Sequence, residues 1–241
     1  MGGRRTYPSM DRYVSNPFTL VALALFGLLA FLVLPLVFLG IIGGAFANLG
    51  FSFTTAFLIL FATLAGSFVN LPLATVRNRV PAYEEEFIPF VNILYRIPLP
   101  AEETTLAINV GGGLIPILIS LYLLAVASSP LVIALALLGV AAVSVVARLT
   151  SRVVPGLGIA TPLFIPPLSA LLCGLVLSVP AGGGMAAPVI AYTSGTLGVL
   201  VGADLLNLGR IRDLGAPMVS IGGAGTFDGI FLAGVIAAFL A

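Results

Sequence analysis

Long apolar runs alternate with short polar punctuation along this chain. The apolar segments lie near 18–46, 51–75, 104–126, 129–148, 163–180, 187–207 and 215–240. About 20 apolar residues in a helix are enough to cross the hydrocarbon core of a bilayer. The pattern predicts an all-α polytopic membrane protein with about seven transmembrane helices, one transmembrane domain over 1–241, multi-pass in the cell membrane. One region departs from it. "SFVNLPLATVRNRV" and "EFIPFVNILYRIPLP" flank a polar "PAYEEE", and both contain Phe-Val-Asn. The prolines at 72, 81, 89 and 98 argue against a long helix there. We expect 68–76 and 87–96 to be extended and paired, a cytoplasmic surface hairpin between spans two and three. Such a hairpin either shields helix ends or accepts an extended peptide by β-addition. Glu84, Glu85 and Glu86 read as a solvated face.

Charge turns this pattern into a topology. All ten basic residues are arginines: Arg4, Arg5 and Arg12 before span one, Arg77, Arg79 and Arg96 between spans two and three, Arg148 and Arg152 after span four, and Arg210 and Arg212 after span six. With the N-terminus inside, every one falls on the cytoplasmic face, as the positive-inside rule asks. The C-terminus is then outside, 1–17 is a cytoplasmic tail and 76–103 a cytoplasmic loop. The first apolar run is too long for the h-region of a signal peptide and reads as a retained helix.

Composition narrows the chemistry. The chain is 60% hydrophobic and 8% charged, with mean hydropathy +1.21. A net charge of +1 gives no footprint for nucleic acid. There is no His, Lys or Trp, and the single Cys173 lies in an apolar run. A Ser-His dyad, an HExxH zinc site, a P-loop lysine and a Schiff-base lysine are therefore excluded. Any acid–base chemistry rests on carboxylates, with no metal and no cofactor called for. The bilayer is the implied partner.

Two span openings look alike. Span three opens with "AINVGGGLIPIL" and span seven with "MVSIGGAGTFDGIF", each a small polar residue (Asn109, Ser220), then an apolar one, then glycines. Both spans run outward, so the openings lie at similar depth on one side. Glycine there permits close helix approach, or broken backbone beside a polar cavity. The carboxylates follow the same geography. Asp204, in "GVLVGADLLNLGRIRD", sits near the cytoplasmic end of span six, where it either snorkels towards Arg210 and Arg212 or does chemistry. Asp228 lies within an apolar run, where an acid at the centre of a spanning helix costs about 2.5–3.5 kcal/mol. An extended opening over 217–225 would start the helix late and bring Asp228 to the depth of Asp204.

The stretches "INVGGGLIP", "GADLLNL" and "GGAGTFDGIFLAG" resemble an uncharacterised family of archaeal and bacterial integral-membrane proteins, a resemblance that implies no mechanism. Over the last quarter, the chain also resembles the presenilin and signal-peptide-peptidase intramembrane aspartyl proteases. Those place one catalytic Asp on an inward-running span and the second on the next span, after Gly-x-Gly. Asp204 and Asp228 match by position and direction. The departures are Ala203 where that group commonly has Tyr, Thr226 and Phe227 between Gly225 and Asp228, and the lack of Pro-Ala-Leu, whose nearest substitutes are "FIPPL" at 164–168 and "VPA" at 179–181.

The functional expectation is an intramembrane aspartyl-protease-like hydrolase. Asp204 and Asp228 are its catalytic pair, and the substrate is a membrane-embedded peptide. Asn109, Gly111, Gly112, Ser220, Gly222, Gly223, Gly225 and Thr226 are the substrate-binding candidates, since glycines let an extended strand approach. The alternative is a small-solute or ion transporter or channel, its path lined by Asn109, Thr193, Ser194, Thr196, Asp204, Thr226 and Asp228. A third reading is a non-catalytic membrane scaffold.

Overall fold

The computed structural model describes residues 17–79, 102–127, 129–154, 158–213, 215–223 and 229–241. Its α-helices are α1 (Pro17–Asn48), α2 (Phe53–Gly66), α3 (Ile115–Ala125), α4 (Pro130–Thr150), α5 (Ile165–Leu177), α6 (Ala186–Val199) and α7 (Gly229–Leu240). Each of the seven falls within one of the apolar segments of the sequence or overruns it by a residue or two. Ser52 starts α2 by accepting from the Thr55 amide, and Ser129 does the same for α4 through Leu131, with Pro130 at the first helical position.

The expectation of an all-α chain needs correction. The strands are β1 (Asn70–Arg77), β2 (Glu103–Asn109), β3 (Arg152–Val154), β4 (Gly158–Ala160) and β5 (Met218–Ile221). Span two, expected over 51–75, is helical only to Gly66, and span three opens as strand β2. Span seven, expected over 215–240, opens as β5. Long apolar runs do not separate strand from helix, because burial on both sides erases the period of either. At 1.5 Å per residue, the 14 residues of α2 and the 12 of α7 extend only about 21 and 18 Å. Among the described residues, three helical segments are long and apolar enough to cross a membrane: Phe18–Asn48, Pro130–Thr150 and Ala186–Arg212. They mark a protein in contact with lipid.

β1 is extended, as expected from its prolines, but the partner in the structure is β2, antiparallel from Asn70↔Asn109 to Arg77↔Glu103. The expected partner, 87–96, lies outside the described residues. β2 also pairs in parallel with β5, from Thr105↔Met218 to Ile108↔Ile221, giving the order β1–β2–β5. β3 and β4 form a separate antiparallel pair.

The chain divides into two compact units, Met1–Gly40 and Ile41–Ala241. In the first, α1 carries exposed Leu, Phe and Val around its circumference, the composition of a lipid-facing span. In the second, α6 is the central helix: 11 of its 14 residues are buried, so α4, α5 and α7 pack around it. Their shared core is small and aliphatic, including Val143, Ala170, Ala191, Val199, Ala233 and Ala237, and Ile221 ties β5 into it. Small side chains let these backbones approach closely, the usual solution where helices associate in lipid. A Cβ on Gly195 would meet Ala233 O at 2.8 Å, and one on Gly198 would meet Val143 Cβ at 2.6 Å.

These contacts also fix direction. Ser194 lies against Gly139 and Gly202 against Ser144, so α4 and α6 run parallel. Gly174 lies against Ala187 and Ala191, and Gly234 against Thr196 and Tyr192, while Pro166 and Gly229, at the starts of α5 and α7, share a cavity wall with Val199 and Ala203 at the end of α6, so α5 and α7 run against α6. The C-terminal ends of α4 and α6 therefore share one end of the bundle, which places Arg148 and Arg152 on the same side as Arg210 and Arg212.

Candidate functional site

The glycine-rich openings of the third and last apolar segments meet. Asn109 ends β2, and a π-helical turn, Val110–Leu114, follows it before α3. The Asn109 Oδ1 accepts from the Gly112 amide at 2.8 Å, capping that turn. Its Nδ2 donates to Ser67 O at 2.8 Å and to Asn70 Oδ1 at 3.0 Å. Ser220 donates from its hydroxyl to the same Asn70 oxygen at 2.6 Å. One asparagine of β1 thus joins the end of β2 to β5. Gly222, at φ +70°, turns the chain out of β5, and a Cβ there would meet Gly113 N at 2.5 Å. Gly111 sits so close to α2 that a Cβ would meet Ser67 N at 2.5 Å. Asn109, Gly111, Gly112, Ser220 and Gly222 are therefore neighbours, and Gly223 folds back, donating from its amide to Ser220 O. Gly225, Thr226 and Asp228 lie outside the described residues.

Asp204 belongs to a different place. Beyond Val199 the central helix changes form, first to a π-turn over Leu200–Asp204 and then to a 3-10 segment over Leu205–Asp213. Such π-turns are rare and concentrate at functional sites, because they free backbone groups and re-aim side chains. Here Asn207, 1% exposed, donates through Nδ2 to Ala203 O at 2.7 Å, tying the 3-10 segment back to the π-turn. Its Oδ1 is buried with no hydrogen-bond partner among the described residues.

Asp204, half-buried, lines a cavity of about 280 Å³. Its other walls include Thr161, Pro166 and Pro167 at the start of α5, Ala203, and Gly229 at the start of α7. None of Asn109, Gly111, Gly112, Ser220, Gly222 or Gly223 lines it. The structure thus divides the sequence-derived site in two: a hydrogen-bonded glycine junction, and an aspartate cavity. The cavity brings Asp204 to the same wall system as Gly229, the residue bonded to Asp228.

Five contributors were not singled out as site residues from sequence. Asn70 carries no motif, and its role depends on a strand pairing that joins residues far apart in the chain. Asn207 has the signal of a polar residue one turn beyond Asp204. Thr161 follows a short hairpin that nothing in the apolar pattern marks. Pro166 and Pro167 belong to the "FIPPL" stretch and do lie beside Asp204, whereas Pro180 and Ala181 of "VPA" line a separate cavity with Leu49 and Ser129. Thr193, Ser194 and Thr196 are fully buried on α6.

A profile of the family described as Protein of unknown function (DUF1614) matches residues 64–240. The chain belongs to that family. The DUF1614 match covers the five strands among the described residues, the glycine junction, Asp204 and Asp228, and it leaves α1 outside. No curated protein and no solved structure matches the chain.

Proposed function

We propose that this DUF1614 protein is an intramembrane aspartyl-protease-like hydrolase, with Asp204 and Asp228 as its catalytic pair between α6 and α7. The observation that carries the reading is the shared cavity: Asp204 and Gly229 both line it, and Asp228 is the residue before Gly229. Further support comes from the extended β5 that leads into the last apolar segment, the antiparallel course of α6 and α7, and Pro166 and Pro167 of the substitute "FIPPL" stretch, which line the cavity with Asp204.

The chemistry follows from two carboxyls close together in a low-dielectric site. They cannot both ionise, so they hold one proton between them. The carboxylate takes a proton from water as the water oxygen bonds to the scissile carbonyl carbon. The carboxylic acid gives its proton to the carbonyl oxygen, and collapse of the tetrahedral intermediate expels the amine with a proton returned to its nitrogen. The substrate is a membrane-embedded peptide.

The test is cleavage of a single-span peptide by the purified protein in liposomes. Asp204→Asn and Asp228→Asn each abolish cleavage while the protein stays folded, and the double variant is no worse than either single one, as expected for groups acting as a unit. A second reading, transport, draws on the hydroxyls of Thr193 and Ser194, which are buried with no hydrogen-bond partner among the described residues. Under it the same substitutions remove ion- or proton-coupled flux, and wild type shows no cleavage.

A further inference from the structure

The 3-10 segment beyond Asp204 is unusual. Runs of this helix longer than three or four residues are uncommon because their hydrogen bonds are poorly aligned, so nine residues need support from outside the segment. Part of that support is visible. Ile211 is 2% exposed and packs with Ala216, Leu106, Leu208 and Val219 against the three-stranded sheet. Its neighbours Arg210 and Arg212 are exposed. The Arg79 amide, just beyond β1, donates to the Arg212 carbonyl at 2.9 Å. Two stretches far apart in the chain thus bring Arg79 and Arg212 together, with Arg210 on the same segment. Arg77 lies nearby at the end of β1, but the strand register sets Glu103 opposite it. Two further acids stand here, Glu102, whose carbonyl accepts from the Asn78 amide, and Asp213, which ends the 3-10 segment; set against them, Arg79, Arg210 and Arg212 leave a net charge of +1.

We infer that Arg79, Arg210 and Arg212 form one binding surface for the phosphate of anionic lipids in the cytoplasmic leaflet, and that the bound headgroup braces the 3-10 segment leading to Asp204. Basic clusters immediately beyond a spanning helix attract anionic headgroups, and guanidinium groups match phosphate geometry. All three residues are exposed at the end of the bundle where every described arginine collects. Their backbones are fixed by the Ile211 contact and by the Arg79–Arg212 hydrogen bond, so the surface is formed before a lipid arrives. The effect on Asp204 rests on the hydrolase reading, but the lipid surface does not.

The test counts lipids retained by the full-length protein in native mass spectrometry, after reconstitution in phosphatidylcholine with or without phosphatidylglycerol. Wild type retains phosphatidylglycerol. Each of Arg79→Gln, Arg210→Gln and Arg212→Gln weakens retention by about fivefold at low salt, the equivalent of about 1 kcal/mol per basic residue. Arg152→Gln, an exposed arginine at the same end but outside the cluster, retains lipid as wild type does. Amide exchange over 205–213 in wild type slows in phosphatidylglycerol relative to phosphatidylcholine, a readout that needs neither cleavage activity nor a variant. The inference is overturned if the three variants retain lipid like wild type, or if Arg152→Gln loses as much as they do. Displacement of phosphatidylglycerol by millimolar inorganic phosphate also overturns it, since a free anion would then be the ligand. Loss of cleavage by Asp204→Asn with no lipid retention by wild type would leave the hydrolase standing and remove the surface.

Discussion

Gly111 and Gly222 do at residue scale what the glycine-rich span openings only hinted at in sequence. A Cβ on Gly111 would run into the end of α2, and one on Gly222 would need a left-handed backbone and would strike Gly112 and Gly113. Gly111→Ala and Gly222→Ala should each lower stability by about 1–3 kcal/mol or more, from overpacking and, at 222, backbone strain. Gly27 meets nothing within 4 Å, so Gly27→Ala in α1 should be neutral or slightly stabilising. Thermal unfolding in detergent reads all three, and equal melting temperatures would contradict the packing described. Asn109 and Ser220 were legible as a matched pair because each is a small polar residue followed by one apolar residue and then glycines at the opening of an apolar segment. What they touch was not legible, because Asn70 meets them only through long-range strand pairing.

At the scale of elements, helix positions were readable and helix lengths were not. Every α-helix falls close to its apolar segment, yet 70–77, 103–109 and 218–221 are strands. β2, "ETTLAIN", has the β-branched content of a strand, but the apolar run that follows hides where strand gives way to helix. An extended start to the last span was among the geometries the glycines allowed, and β5 with the Gly222 turn has that form. The parallel register of β2 and β5 can be checked directly. With Cys173→Ala as background, the pair Thr105→Cys and Met218→Cys should cross-link on mild oxidation, because register partners fall within disulfide reach. The slipped pair Thr105→Cys and Val219→Cys should not, since one residue of slip turns the side chain to the other face. Cross-linking in the slipped pair alone would reject the register.

For the whole molecule, the arginines carried most of the information. Six of the ten lie in described segments, and the helix directions place those after α2, α4 and α6 at one end, as one-sided charge requires. In a Cys173→Ala background, a cysteine at Gly209 should be labelled only from the cytoplasmic side and one at Gly183 only from outside. The reverse pattern would invert the topology.

In sequence, Asp204 and Asp228 read as two acids on successive apolar spans; the cavity that Asp204 shares with Gly229 came only from the fold, and Asp228 lies outside the described residues. The chain has four aspartates, Asp11, Asp204, Asp213 and Asp228, so carboxyl-labelled aspartate gives a spectrum simple enough to assign with single substitutions. The most direct measurement of the proposed chemistry is the carboxyl-to-carboxyl distance between Asp204 and Asp228, by solid-state NMR of the labelled protein in liposomes. Direct or single-water proton sharing predicts a cross-peak between them at about 4–6 Å. Carboxyls more than about 10 Å apart could share no proton directly or through one water, and the catalytic pair would be contradicted.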